Sequence, residues 1–160
     1  MKKRLFLKFF ILFSFVLIVI FAFYVWYSPY LFLRSFQKAI LKGDIVRIEQ
    51  MVDFFKIQKE LKAKFWSEWL EIAGKEAQQD PLVFGLASLF ISGMMEHLVD
   101  TIISPEKLIA LGNLEEIENW RLQYVSFRTA YIYNPKNPNV RFYLERQGLF
   151  NWKIVHIYFK

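Results

Sequence analysis

The sequence predicts an α+β fold carried on a membrane anchor: an N-terminal transmembrane helix, a helical half, then a C-terminal antiparallel meander of at least three strands that could curl into a cone. Three observations carry that prediction. Residues 9–27 are apolar and uncharged, apolar positions recur at helical spacing over about residues 30–112, and from about residue 122 the period drops to two in aromatic and β-branched residues. A length of 160 residues leaves room for one exported domain, residues 28–160, after a basic stretch 1–8 and the span 9–27. Hydrophobic residues at 55% and aromatics at 19% exclude a disordered chain. The absence of cysteine excludes disulfides, thiolate metal sites and cysteine nucleophiles.

The net charge of +6 is concentrated at the start. Lys2, Lys3, Arg4 and Lys8 precede every acidic residue, and without them 17 basic residues face 15 acids. So small an excess does not make a phosphate-tracking surface, and nucleic acid is not an expected partner.

The anchor comes first in the chain. Nineteen residues at 1.5 Å each make about 28 Å of helix, the thickness of a bilayer core. Fourteen of the nineteen are Leu, Ile, Val or Phe, so insertion is favoured by several kcal/mol at about 0.3 to 0.6 kcal/mol each. Phe9, Leu12, Leu17 and Ile20 are lipid-facing candidates, and Trp26 and Tyr27 join Tyr24 and Tyr30 in an aromatic belt at the far interface. The basic N-terminal flank stays cytoplasmic by the positive-inside rule, which puts the domain outside. A cleavable signal peptide would have a shorter apolar region and small residues before the cut, whereas this run ends in FYVWYSPY.

Beyond Ser28-Pro29, read as the exit and the start of a new helix, Leu33, Phe36, Ala39 and Ile40 share a side. Gly43 ends that helix and Asp44 caps a short one containing Ile48, Met51 and Val52. Asp53 caps a longer amphipathic helix with Ile57, Leu61, Phe65, Trp69 and Ile72 on its apolar stripe. After a break at residues 78–81, LVFGLASLFISGMM runs fourteen residues without charge. Extending it to a second span would place Glu96, His97 and Asp100 in hydrocarbon, so it reads as a core helix, with an interfacial helix as the alternative. Ser104-Pro105-Glu106 starts the last helix, and Gly112-Asn113 reads as its stop.

From residue 122 to 133 the alternation reads as one strand. The turn at residues 134–139 leads into residues 140–146, and a loop at 147–151 leads into 152–159. Arg141, Tyr143 and Glu145 alternate with Val140, Phe142 and Leu144, so one face is wet and the other packs on helices. The last strand sorts as Trp152, Ile154, His156 and Tyr158 against Lys153, Val155, Ile157 and Phe159.

The stretches SPYLFLRSFQKAILKGDIVRIEQMVDF, ISPEKLIAL and YLERQGLFNWKIVHIYF resemble a bacterial family known only as domain of unknown function family 2939. The GD followed by VDF, the SPE(K)L start and the closing LERxGLFxWKI pair are its most specific parts. The resemblance implies a short membrane segment, a small exported domain and a bacterial inner-membrane location. It brings no catalytic residues with it. More distantly, the curved closing sheet is similar to nuclear transport factor 2-like and cystatin-like cones, which host enzymes and binding modules alike.

No catalytic, metal or cofactor residues are assigned. With only His97 and His156 in the chain, a three-histidine metal site cannot form, and solvation explains Glu96, His97 and Asp100. Arg128 and Arg141, with Glu145 and Arg146, make a candidate polar sheet face for an anionic ligand, set against the favoured reading of cross-strand ion pairing among them. Leu86, Phe90 and Met94, with His156, complete the candidate interaction residues. The sequence therefore predicts an anchored, non-catalytic interaction module that meets membrane lipid and either another protein or a small apolar ligand. The alternative is a small pocket hydrolase or isomerase using His156 or a buried carboxylate as base.

Overall fold

The computed structural model describes residues 2–73 and 81–159. The predicted break at residues 78–81 lies outside the described residues up to Pro81. Helix α1 spans Lys2–Lys42, α2 Ile45–Met51, α3 Phe54–Ala73, α4 Pro81–Ile102 and α5 Pro105–Leu114; a 3₁₀ turn, Ile117–Asn119, leads to strands β1 Arg121–Tyr124, β2 Thr129–Asn134, β3 Asn137–Arg146 and β4 Trp152–Phe159. The strands pair in chain order as one open antiparallel sheet, and the architecture is α+β as predicted.

Helix α1 does not break at Ser28-Pro29. It runs through Pro29 for 41 residues, because its second half is held by the domain: Leu33, Phe36, Ala39 and Ile40 are buried together, as their spacing predicts. Gly43, at φ +65°, stops it, with the Asp44 N–H donating to Ala39 O at 2.9 Å. The Asp44 carboxylate then accepts from Arg47 N at 3.1 Å and starts α2. Asp53 repeats the device, accepting from Lys56 N at 3.1 Å, while its own N–H donates to Ile154 O at 2.8 Å and Val52 bridges Ile154 in parallel. The GD and VDF signatures thus do backbone work: one turns the chain, and the other ties α3 to β4.

The α3 stripe enters the core only at its start. Ile57 is buried and Leu61 half-buried, but Phe65 and Ile72 are exposed, because beyond Leu61 the helix leaves the sheet and packs on α4. Lys62 holds Asp100 of α4 at 2.7 Å. The core reading of residues 82–95 is corrected more sharply: Leu82, Leu86, Leu89, Phe90 and Met94 are all exposed, and α4 reaches the core only at Val99, with Ile103 just beyond its end. An apolar helix with one neighbouring helix can hide only one face. By length and composition α4 and α1 are both long and apolar enough to cross a membrane.

Ser104 caps α5 as predicted, accepting from Lys107 N at 3.3 Å. Gly112 is not its stop. The helix continues to Leu114, and Gly112 sits where a Cβ would lie 2.5 Å from Ile40 Cγ2, so glycine permits the close crossing of α1 and α5. The chain reverses at Glu116 instead, with φ +48°.

The single strand predicted over residues 122–133 is two. Residues 125–128 make a tight turn in which Ser126 Oγ accepts from Arg128 N and Thr129 N, each at 3.2 Å, so β1 and β2 form a hairpin and supply a fourth strand. Alternation survives the fold-back, which is why it looked continuous. The 134–139 turn also shrinks to Pro135-Lys136, since β3 begins at Asn137. The β3 faces are as predicted, with Phe142 and Leu144 buried. In β4 the strict alternation fails: Tyr143 pairs with His156 but Leu144 with Ile154, so Val155 is the extra residue of a bulge. Trp152 and Ile154 face inward before it and Ile157 after it, while His156 and Tyr158 face out. The core lies on one face of the sheet, against α1, α2 and α5.

Candidate functional site

The end of the domain nearest the apolar half of α1 is organised by what Pro29 lacks. A proline inside a helix has no N–H for the carbonyl four residues back, here Val25 O. Ser28 Oγ donates to that oxygen at 2.7 Å and Arg146 Nη2 at 3.3 Å. Trp152 Nε1 in turn donates to Ser28 Oγ at 2.9 Å, and the Tyr124 hydroxyl donates to the next carbonyl, Trp26 O. The Tyr124 and Trp26 rings stack at 4.9 Å. The predicted belt residue Trp26 is therefore half of a joint between α1 and the sheet, and the domain starts directly after the apolar run of α1 with no spacer: Val25, Ser28 and Pro29 are already buried.

Arg146 is central to the joint. Its guanidinium carbon lies 4.4 Å from the ring centres of both Phe127 and Trp152, while Nε donates to Phe127 O at 3.0 Å and Nη1 to Leu149 O. Burial pushes its pKa down, partly offset by the neighbouring Tyr124, and burial likewise raises the Tyr124 phenol, with Arg146 opposing and Tyr30 reinforcing. Sequence reading left Arg146 among the cross-strand ion pairs. What identifies it is its place in RQGLFNW, where an arginine precedes an aromatic turn.

Two cavities flank these elements. One, of about 600 Å³, opens beside the joint among Tyr24, Ser28, Arg47, Phe150 and Lys153. The second, of about 390 Å³, is lined almost wholly by hydrocarbon from Phe54, Ile103, Leu108, Leu111, Val140 and Phe142, with Ser104 and Lys107 also on its wall. It sits between the sheet and the α4–α5 corner.

The polar candidates do not converge. His156 Nδ1 lies 2.6 Å from Glu60 Oε2, but both are about half exposed and neither lines the two cavities; the pair ties α3 to β4, while Lys56–Glu145 at 3.4 Å ties α3 to β3 and Lys153–Asp53 at 3.7 Å ties β4 to the residue that caps α3. Glu145 thus pairs with α3 rather than with an arginine of the sheet, and Arg141 instead packs over the Tyr131 ring at 5.1 Å. Arg128 is exposed at the β1–β2 turn. Leu86, Phe90 and Met94 lie on the bare side of α4, 63%, 70% and 47% exposed. Asp100 is taken by Lys62, so it does not join His97 in a site. Of the anchor candidates, Leu12, Leu17 and Ile20 are exposed along α1, and Trp26 and Tyr27 follow at its domain end. Phe9 lies in α1.

No curated protein and no solved structure matches the chain. A family model described as a protein of unknown function, DUF2939, matches residues 18–111. That interval runs from the second half of the apolar run through the rest of α1, both aspartate-capped helices and α4 into α5, and ends before the sheet. It covers more than half of the sequence, and the protein is a member of the DUF2939 family.

Proposed function

We propose that this protein is a single-pass, membrane-anchored binding module without catalytic activity, its N-terminus cytoplasmic and its domain on the outer face of a bacterial inner membrane, and that it holds a small apolar or amphiphilic ligand. The observation that carries the reading is the apolar cavity of about 390 Å³ with Lys107 at its wall. A preformed hydrocarbon pocket with one hydroxyl and one ammonium on its wall, from Ser104 and Lys107, suits an alkyl or acyl chain ending in a carboxylate or phosphate. The anchored topology is supported by the uncharged run of α1 over residues 9–27, the basic residues that precede it and its aromatic far end. A single pass is favoured because α4 is rooted in the core at Val99 and its partner α3 carries Lys56, Lys59, Glu60, Lys64 and Glu68. The test is displacement of a fluorescent fatty acid from the full chain in lipid nanodiscs. Saturable binding that Leu111→Trp abolishes without lowering the unfolding temperature supports the reading, and lack of saturable binding by the unmodified chain overturns it.

The bare face of α4 favours a second role beside this one, a partner protein seated on the α3–α4 hairpin. A photo-crosslinker at Phe90 in intact membranes checks it: a discrete protein adduct supports the role, and adducts to lipid alone exclude it.

A further inference from the structure

We propose that the two hairpin tips at the membrane end of the sheet, residues 125–128 and 147–151, lie in the headgroup and upper acyl layer of the leaflet that the anchor crosses, so that the domain rests on the bilayer through its own loops. The inference depends on the anchored reading above. The apolar run fixes depth: at 1.5 Å per residue, Tyr24 lies about 5 Å and Phe21 about 9 Å inside Tyr27, where that run ends. Phe150, on the second tip, meets both, with ring centres 5.1 Å from Tyr24 and 5.6 Å from Phe21. A loop touching the anchor at that level shares its solvent.

The chemistry of the tips fits that solvent. Val125 and Phe127 on one, and Leu149 and Phe150 on the other, are exposed to whatever surrounds the protein, and neither tip contains an acidic residue. Depths of about 5 to 10 Å are where amphipathic elements settle in an interface. Arg146 sets the two tips level, since one guanidinium binds Phe127 O on the first tip, Leu149 O on the second and Val25 O on the anchor. Arg128, exposed on the first tip, is placed for a lipid phosphate. At the other end of the sheet the β2–β3 turn is polar, with Lys136 held by Glu116 at 2.7 Å.

The test exploits the lack of cysteine in the natural chain. Single-cysteine variants of the full protein, Phe127→Cys and Leu149→Cys, carry a polarity-sensitive fluorophore in phosphatidylethanolamine–phosphatidylglycerol vesicles, with Leu17→Cys as the anchor control and Leu114→Cys as the aqueous control. Blue-shifted emission at both tips, quenched by shallow spin-labelled lipid and shielded from iodide, supports the proposal. Tip labels that iodide quenches as fully as the Leu114 label, while the Leu17 label stays lipid-quenched, overturn it. So does shielding from iodide without lipid quenching, which means a second copy or another protein covers the tips. Iodide quenching at Leu17 itself brings down the anchored reading, and the proposal with it.

Discussion

Nη2 of Arg146 lies 3.3 Å from the carbonyl oxygen of Val25, the acceptor that Pro29 leaves without a helical donor. A residue near the end of the chain thereby completes the backbone of a helix near its start. The same guanidinium stacks on Trp152 and Phe127, so charge, planarity and donor geometry are all used.

Arg146→Lys keeps the charge and loses the planar fork. It is expected to cost about 2 kcal/mol, from lost stacking and charge-assisted hydrogen bonds. Denaturant unfolding in detergent micelles measures this; a change within about 0.5 kcal/mol, the usual range for an inconsequential surface substitution, contradicts the role.

Trp152 and Ser28 form the buried half of the joint. Trp152→Phe and Ser28→Ala are each expected to destabilise by about 1 kcal/mol or somewhat more. In a double-mutant cycle the two losses should fall short of additive, because both remove one hydrogen bond; strict additivity would show that the 2.9 Å contact has no energetic weight.

Gly112 and Gly85 should respond with opposite signs. Gly112→Ala drives a methyl into Ile40 and is expected to cost about 1 to 3 kcal/mol. Gly85→Ala meets open space within α4 and should gain up to about 1 kcal/mol from helix propensity. Thermal unfolding of the two variants reads both signs.

Leu86→Lys with Phe90→Lys tests the exposed face of α4. Since neither side chain is in the core, stability should change by no more than about 0.5 kcal/mol. A loss of several kcal/mol, as a buried charge would produce, would show that the face is covered within the protein.

Glu116 supplies a pH signature. A hydrogen bond from Lys136, then that residue's charge, then Asn119 hold its carboxyl below the ordinary range. The folded value lies below the unfolded one, so the contribution is present above the unfolded pKa and is lost as pH falls through the folded value. NMR titration should find a low midpoint that Lys136→Ala moves back toward an ordinary glutamate; an unchanged midpoint in that variant contradicts the pairing.

Local signals were legible in the sequence wherever one residue type had one backbone use. Gly43, Asp44, Asp53 and Ser104 are read correctly because left-handed turns and caps depend on neighbours two or three residues away. One failure is local, the Ser126 turn hidden inside an alternation that continues on both sides of it, and the others are tertiary. Pro29 reads as a break, yet donors from Ser28 and Arg146 let the helix continue; Gly112 reads as a stop, yet it is a crossing point; Val155 disrupts an alternation that residue polarity could not reveal. Helix α4 misleads most, since an apolar composition reports which solvent a surface prefers and not whether the protein itself supplies it. Of the candidate site, the apolar run of α1 and the apolar residues of α4 were visible, whereas the joint at Arg146 and the apolar cavity depend on elements brought together only by folding.

The most direct test of the central claim, that α1 carries the chain across the bilayer from a cytoplasmic N-terminus, is labelling of single cysteines in intact cells with a membrane-impermeant maleimide. Val46→Cys should react in intact cells and Lys3→Cys only after the membrane is opened. Reaction at Lys3 in intact cells with Val46 protected would reverse the topology, and recovery of the whole chain in the soluble fraction would remove the anchor.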